Sequence, residues 1–427
     1  MHALATSWFQ GCSARSTTAR VRGGQFLLRR LHSVLDYTDN IQSMDAMQEM
    51  PQSPVWNWHV GASQTAASAP YTSVPFPSHV RNAFKRSGGT LTERHDATGE
   101  LVRLLDDLST EFRWIAARAR ETYAKGVQVE PLTAALVTQQ LYFALCHDGY
   151  ACLLVSKDQP EPMCLPPDMP SGSYVIVLVS LDADVQFAPA EGVMGSLFSV
   201  YKRKTAPGRA GRREDLQVCL ADQVAVGYAL YGSSTQLCYS MRGNPGVYRF
   251  VLHPVAKQFF MCWGGPLEFG VEHDRNRRRL SELVAVHSEP KAVSDVITPV
   301  FFATRESFLG DDALARALRH LADQHEYSAV HTGCLIGDFH TLLQRGGILI
   351  ADKVDLLCEA APLAYLAEEA GARAINEYGS RILDQRLGGD DPLHAKTQLL
   401  IGSTTQLAEL ERLLRHYRSE EDAREHP

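Results

Sequence analysis

Two hydrophobic rhythms run through positions 98 to 418. Leu101, Leu104, Leu105, Leu108, Phe112 and Ile115 recur three and four residues apart, which predicts an amphipathic helix of about five turns. A second helical pattern covers 132–145. The rhythm then shortens to apolar runs and alternations at 151–155, 174–178, 195–201, 223–229, 236–241, 248–252 and 258–261. Several lie at hairpin separation, as in a large mixed or antiparallel sheet. From about residue 292 strands and helices interleave: strands near 298–303 and 348–350, helices over 313–324, 337–345, 362–370 and 404–417. That order is α/β. No internal repeat is evident.

The flanks read differently. Residues 1–35 contain no Asp or Glu but five arginines (Arg15, Arg20, Arg22, Arg29, Arg30) and seven interleaved Ser and Thr, followed by Phe26, Leu27, Leu28, Leu31, Val34 and Leu35. This is the composition of an organellar transit peptide, mitochondrial or plastid; a plain tail on a cytoplasmic protein is the alternative. Residues 36–90 hold Pro51, Pro54, Pro70, Pro75 and Pro77 among Ser, Ala and Gln and read as a linker or disordered arm. Residues 419–427 form a charged tail. The richest apolar run, Tyr174 to Val179, is far short of the ~18 residues a membrane span needs and reads as a buried strand.

With 45% hydrophobic and 21% charged residues the bulk of the chain is globular material. A net charge of −7 gives the whole protein no electrostatic reason to bind nucleic acid. The basic runs at 202–204 and 275–279 read as solvated loops. The nine cysteines are odd in number and never spaced Cys-x-x-Cys, which argues against a disulfide framework or a structural zinc site and for a reducing compartment.

Six segments, in order, resemble the fructose-1,6-bisphosphatase family. They are Ala97 to Leu101 (ATGEL), Leu154 to Ser156 (LVS), Tyr174 to Asp182 (YVIVLVSLD), Val224 to Ser233 (VAVGYALYGS), Ile336 to His340 (IGDFH) with Gly346 to Ile348, and Leu356 to Tyr365 (LLCEAAPLAY). The resemblance covers about 88–417 and implies the layered αβαβα sugar phosphatase fold. It implies an N-terminal half, 91–280, carrying a regulatory AMP site, and a C-terminal half, 281–418, carrying much of the substrate site.

Phosphate-ester hydrolysis in this family uses Mg²⁺ to polarise the phosphoryl group, activate water and neutralise the leaving alkoxide, so hard carboxylate oxygens are required. Matched to the family's motifs, most of those oxygens are missing. Lys157 and Asp158 stand where two adjacent glutamates are expected. A lysine there adds a cation that, about 4 Å from a dication at an effective dielectric near 20, costs on the order of 8 kcal/mol. Val179 stands at the bridging aspartate of the D-P-L-D-G-S motif, Ser180 at its proline, and Ala183, Asp184 and Val185 at the phosphate cradle; only Asp182 matches. The two aspartates of the upstream helix fall near Ala134 and Gln139. Glu359 matches the final glutamate ligand. Asp182 and Glu359 are therefore either partners of Lys157 plugging a vacated metal cavity or, with Asp158 and Asp184, a rewired metal site.

On the substrate side Lys353 matches a phosphate-contacting lysine, while the arginine and tyrosines that accompany it in the family become Val330, His331 and Ala351. At the nucleotide site Thr98, Glu100 and Tyr174 match, whereas Ser173, Val102 and Lys202 depart; Thr98 is equally an N-cap. The resulting expectation is a catalytically impaired phosphatase-family protein, a scaffold, subunit or regulator, needing no cofactor. It would be a homo-oligomer or part of a larger assembly, with at most weak binding of nucleotide or sugar phosphate. The alternative is an active Mg²⁺-dependent phosphatase acting on fructose-1,6-bisphosphate or a related ester.

Overall fold

The computed structural model describes residues 71–86, 99–125, 132–166, 171–183, 193–262, 265–270, 300–302, 310, 312–325, 328–387 and 392–425. All belong to one compact unit, Ser68–Pro427. The expected transit segment at 1–35, Thr98, Asp184, Val185 and the basic run at 275–279 lie outside the described residues.

The first lobe is built on a nine-stranded sheet in the order β1-β9-β8-β7-β6-β5-β4-β2-β3. Its strands are β1 Tyr71–Pro75, β2 Ala151–Ser156, β3 Met163–Cys164, β4 Tyr174–Asp182, β5 Met194–Lys202, β6 Gln223–Tyr231, β7 Thr235–Met241, β8 Asn244–Leu252 and β9 Phe259–Cys262. From β4 to β9 successive strands pair antiparallel, and β2 pairs parallel with β4. The second sheet is β11-β10-β12-β14-β13, formed by β10 Val300–Phe302, β11 Ser328–Val330, β12 Ile348–Asp355, β13 Arg373–Ile375 and β14 Lys396–Gly402. Helices α1 Phe76–Arg86, α2 Glu100–Lys125 and α3 Ala134–Cys146 precede the main run of strands. Helices α4 Ala313–His325, α5 Leu335–Arg345, α6 Ala361–Glu369 and α7 Thr404–Glu425 belong to the second half.

Period-two alternation assigns the layers. On β4, Tyr174, Ile176 and Leu178 pack with Leu104, Leu108 and Phe112 of α2, whereas Val175, Val177 and Val179 pack on the other face with Phe339 and Leu342 of α5 and Leu363 of α6. The same middle layer receives Leu349 and Ala351 of β12 and Leu399 and Ile401 of β14. Ile348, Ile350 and Leu400 face the opposite way, onto Leu318 and Leu321 of α4 and Leu407 and Leu410 of α7. Helices, large sheet, helices, small sheet, helices: this is the αβαβα stack, with both sheets covered on both faces. Among the described residues no helix is long and apolar enough to cross a membrane.

Two sequence expectations are corrected here. Residues 71–86, assigned to the linker, form β1 and α1; Phe76, Val80 and Ala83 are buried one helical turn apart, a short stripe hidden by the proline-rich composition around it. Pro75 and Pro77 sit where proline is tolerated, at an edge strand's end and in a helix's first turn. Arg203, expected in a solvated run, has a side chain only 2% exposed and lies 3.6 Å from the buried carboxylate of Asp215. That carboxylate also accepts hydrogen bonds from the backbone of Lys204, Thr205 and Arg212.

Helix α5 is held close to the large sheet by a glycine and a histidine. A Cβ on Gly195 of β5 would lie 3.0 Å from the Ile336 Cβ, so any side chain there pushes the helix away. His340 shares a hydrogen bond of 2.8 Å with the Tyr228 hydroxyl through Nδ1, and its Nε2 lies 3.0 Å from the Gln344 amide nitrogen. Burial, with the nearby Arg249 cation adding to it, pushes the imidazole down to about 3. The unfolded chain therefore takes up a proton near pH 6.5 that the folded chain refuses until about pH 3, and stability is lost as pH falls through that window, by roughly 1.4 kcal/mol per pH unit from this group. Urea unfolding at pH 7, 6, 5 and 4 should show the gap between the native protein and His340→Gln narrowing as pH falls. Parallel curves would mean that His340 is not buried neutral.

Candidate functional site

Strands β2 and β4 are parallel neighbours, so their carboxyl ends deliver Lys157 and Asp182 to one edge of the large sheet. Strand β12 ends at Asp355, whose carboxylate caps a single π-helical turn, Leu356–Ala360, by accepting from the Leu357 and Cys358 amides. Glu359 is carried on that turn, immediately before α6. The three elements meet at a cleft of about 260 Å³ lined by Lys157, Asp182, His331, Asp338, Lys353 and Glu359 together with apolar residues of β12.

Glu359 is 4% exposed. One of its oxygens accepts from the Lys157 ammonium at 2.6 Å, the other from the Asp355 backbone amide at 2.8 Å. Burial works against the Lys157 charge, but Glu359, helped by Asp182 and Asp158, outweighs it and holds the lysine above its ordinary value. Asp182 accepts from the Ile336 amide at 3.0 Å and from the Cys334 thiol at 3.4 Å, so it caps the first turn of α5. Burial, reinforced by repulsion from Glu359, raises its carboxyl. Asp158 is exposed and does not line the cleft, so it does not take over the place of Lys157; burial of part of its carboxyl and the charge of Glu359 raise it, against Lys157.

Val179 is 2% exposed within the apolar layer between the sheets and offers no lone pair. On α3, Gln139 lies on the exposed face and Thr138 is the polar side chain turned inward. Its hydroxyl lies 2.5 Å from Ser180 and 3.2 Å from Ser156, which are 3.1 Å from each other. A ring of three hydroxyls, each donor and acceptor, satisfies itself without a cation. The sequence reading missed this cluster because three hydroxyls spread over a helix and two strands carry no motif.

On the substrate side, Lys353 is exposed at the cleft with a φ of 55°, a left-handed conformation that costs a lysine on the order of 1 kcal/mol. His331 lies 3.2 Å from the Asp338 carboxylate, which also accepts from the Thr332 hydroxyl at 2.7 Å. Burial raises the Asp338 carboxyl, against those two partners. Val330 is 40% exposed and Ala351 lines the cleft as bare hydrocarbon. The cleft thus offers a sugar bisphosphate one lysine already paired, one uncommitted lysine and a histidine, facing three carboxylates. At the expected nucleotide site Glu100 opens α2, but Tyr174 is fully buried in the core beneath the helices and presents no ring surface to a ligand.

Magnesium takes near-octahedral oxygen ligands and is commonly held through one or two carboxylates completed by waters and substrate phosphates. Among the described residues, the positions matched to the family's ligands hold an ammonium ion, a valine, a carboxylate capping a helix and a carboxylate paired with the ammonium, a departure from the family's carboxylate set.

Two sheets interleaved with three helical layers, with strand ends converging on a carboxylate-bearing cleft, define a sugar-phosphatase type of architecture. Residues 89–263 match the family profile described as fructose-1-6-bisphosphatase, N-terminal domain, and residues 303–415 its C-terminal counterpart. The fructose-1,6-bisphosphatase class 1 of Chloroherpeton thalassium is 30% identical over 334 residues, covering 72% of this chain and 85% of that protein. The enzyme of the same name from Trichodesmium erythraeum is 30% identical over 276 residues, covering 62% and 68%. The crystal structure of Leishmania major fructose-1,6-bisphosphatase in holo form superimposes with a TM-score of 0.61 at 21% identity, covering 82% of this chain and 99% of that one. This chain belongs to the fructose-1,6-bisphosphatase family.

The cleft makes a stability prediction. Lys157→Met leaves Glu359 buried without its cation and should cost roughly 1–3 kcal/mol, below the full range for a buried pair because the lysine is a third exposed. Adding Glu359→Gln should restore most of that loss. Denaturant titration of the single and double variants checks it, and a single variant no weaker than the double one removes the pair from its neutralising role.

Proposed function

We propose that this chain is a catalytically impaired member of its family that works through protein contacts, as a scaffold, subunit or regulator. The observation that carries the reading is the 2.6 Å ion pair between Lys157 and Glu359. An internal ammonium occupies the charge-neutralising role a dication plays, and any incoming Mg²⁺ would have to expel it while finding few replacement ligands. Val179 in the apolar layer and the self-satisfied hydroxyls of Thr138, Ser156 and Ser180 support the same conclusion. The proposal includes assembly as a homo-oligomer or as part of a larger complex, and delivery to an organelle by the acid-free, arginine-rich N-terminus. Binding of a nucleotide or sugar phosphate would be weak.

The names of the relatives favour a second reading: hydrolysis of fructose-1,6-bisphosphate or a related ester with metal held by Asp158, Asp182, Asp184 and Glu359. Phosphate release from fructose-1,6-bisphosphate and a panel of phosphate esters, with Mg²⁺ or Mn²⁺, separates the two. The expected result is no turnover above buffer. Turnover that Glu359→Gln abolishes would establish the second reading. Reinstating Glu at 157 and Asp at 179 by Lys157→Glu and Val179→Asp is expected to raise Mg²⁺ uptake measured by calorimetry, since it exchanges a cation for a ligand and adds a second one.

A further inference from the structure

Behind the Lys157–Glu359 pair lies a second cluster of a different chemistry. Asp355, Cys358 and His394 bring a carboxylate oxygen, a thiol sulfur and an imidazole nitrogen within 4.8 Å of one another. Asp355 and Cys358 are essentially inaccessible, and the His394 side chain, 22% exposed, closes the cluster toward solvent. Sequence spacing conceals the group, because Asp355, at the end of β12, caps the π-helical turn that carries Cys358, while His394 arrives from the segment leading into β14.

The histidine's two nitrogens identify what the cluster can take. Its Nε2 lies 2.8 Å from the Gln159 backbone carbonyl, an acceptor only, so Nε2 carries the proton and donates it. The other nitrogen, Nδ1, then points its lone pair at the Asp355 carboxylate 2.7 Å away, also an acceptor only. The contact is an ion pair when the ring carries both protons, and a metal ion can take the place of the one on Nδ1. A ring nitrogen whose opposite N–H is fixed by a backbone carbonyl is the usual arrangement of a metal-ligating histidine. Around tetrahedral zinc, bonds of about 2.0 Å to N and O and about 2.3 Å to S place the ligand atoms roughly 3.3–3.6 Å apart, so the carboxylate and imidazole need to separate by only about half an ångström or a little more.

We propose that Asp355, Cys358 and His394 form a binding site for a divalent zinc-like ion, with the fourth position left for water. A thiolate and a carboxylate neutralise the dication, and the mixed N, O and S donor set selects zinc over the all-oxygen ions magnesium and calcium. The Lys396 ammonium, 3.7 Å from Asp355 and half exposed, swings into solvent on metal entry. The site shares no ligand with the phosphatase-type cluster, so its existence is independent of whether the chain hydrolyses phosphate esters.

The test is titration of the purified full-length chain with Co²⁺ and with Zn²⁺ after treatment with chelator and reductant. The expected result is one Co²⁺ per chain with a near-ultraviolet thiolate-to-cobalt band, displaced by Zn²⁺ and not by millimolar Mg²⁺. Cys358→Ser should lose that band. His394→Gln, which keeps a hydrogen-bonding side chain beside Asp355, should weaken Zn²⁺ binding by at least tenfold while leaving the circular dichroism spectrum unchanged. Absence of the band in the native chain, or its survival together with unchanged zinc affinity in both variants, overturns the proposal.

Discussion

A carboxylate buried as deeply as Glu359 must be neutralised, and this requirement organises the cleft. In a phosphatase of this architecture dications supply the positive charge and the substrate phosphates balance them. Here the charge comes from Lys157, on the turn after β2, directed at a glutamate on the turn after β12. The pair thereby joins the two sheets with no bound ion. The charge balance of the cleft is thereby part of the folded chain's own balance.

The fold tolerates that exchange because its stability rests elsewhere. Each β4 side chain from Tyr174 to Val179 belongs to one of two apolar layers, and the same two-residue alternation repeats on β12 and β14. Most of those contacts lie away from the cleft, which the layers reach through Leu349 and Ala351. Valine at 179 extends the middle apolar layer by one more residue toward the cleft, which adds burial where a carboxylate would have carried a desolvation cost. The family's shape thus rests on the layers more than on the charged residues of the cleft.

This separation also explains what was legible in the sequence. The strands from 151 to 262 and the helices on 101–115 and 313–324 could be read because period-two and period-3.6 patterns report directly on which layer a side chain enters. β14 was not read as a strand: Lys396, Thr397 and Gln398 open it with polar residues, and its apolar half is only Leu399 to Ile401. α1 was obscured by flanking prolines. At the cleft, Lys157, Val179 and Glu359 could be singled out because the surrounding segments fix their register. On α3 the inward polar residue, Thr138, was not singled out, because that helix has few polar landmarks and adjacent positions face opposite ways. The hydroxyl ring and the Asp355–Cys358–His394 cluster depend on tertiary convergence alone, for which one sequence holds no spacing signal.

The remaining charges of the cleft bear on what kind of molecule could still enter it. Asp182 and Asp338 face the cavity with carboxyls raised by burial, and each is already committed to backbone or hydroxyl donors. Lys353 and His331 lie toward the rim, at exposed positions where water screens them. An anion entering would meet screened cations first and poorly screened carboxylates further in, the reverse of the gradient that draws a phosphate ester toward a metal cluster. The same arrangement is well suited to remaining closed: the inner carboxylates are satisfied by the protein, the ammonium is paired, and nothing inside the cleft requires a ligand for its charge. A cation on the β2 turn and a hydrocarbon on β4 therefore set the electrostatics of the cleft interior together.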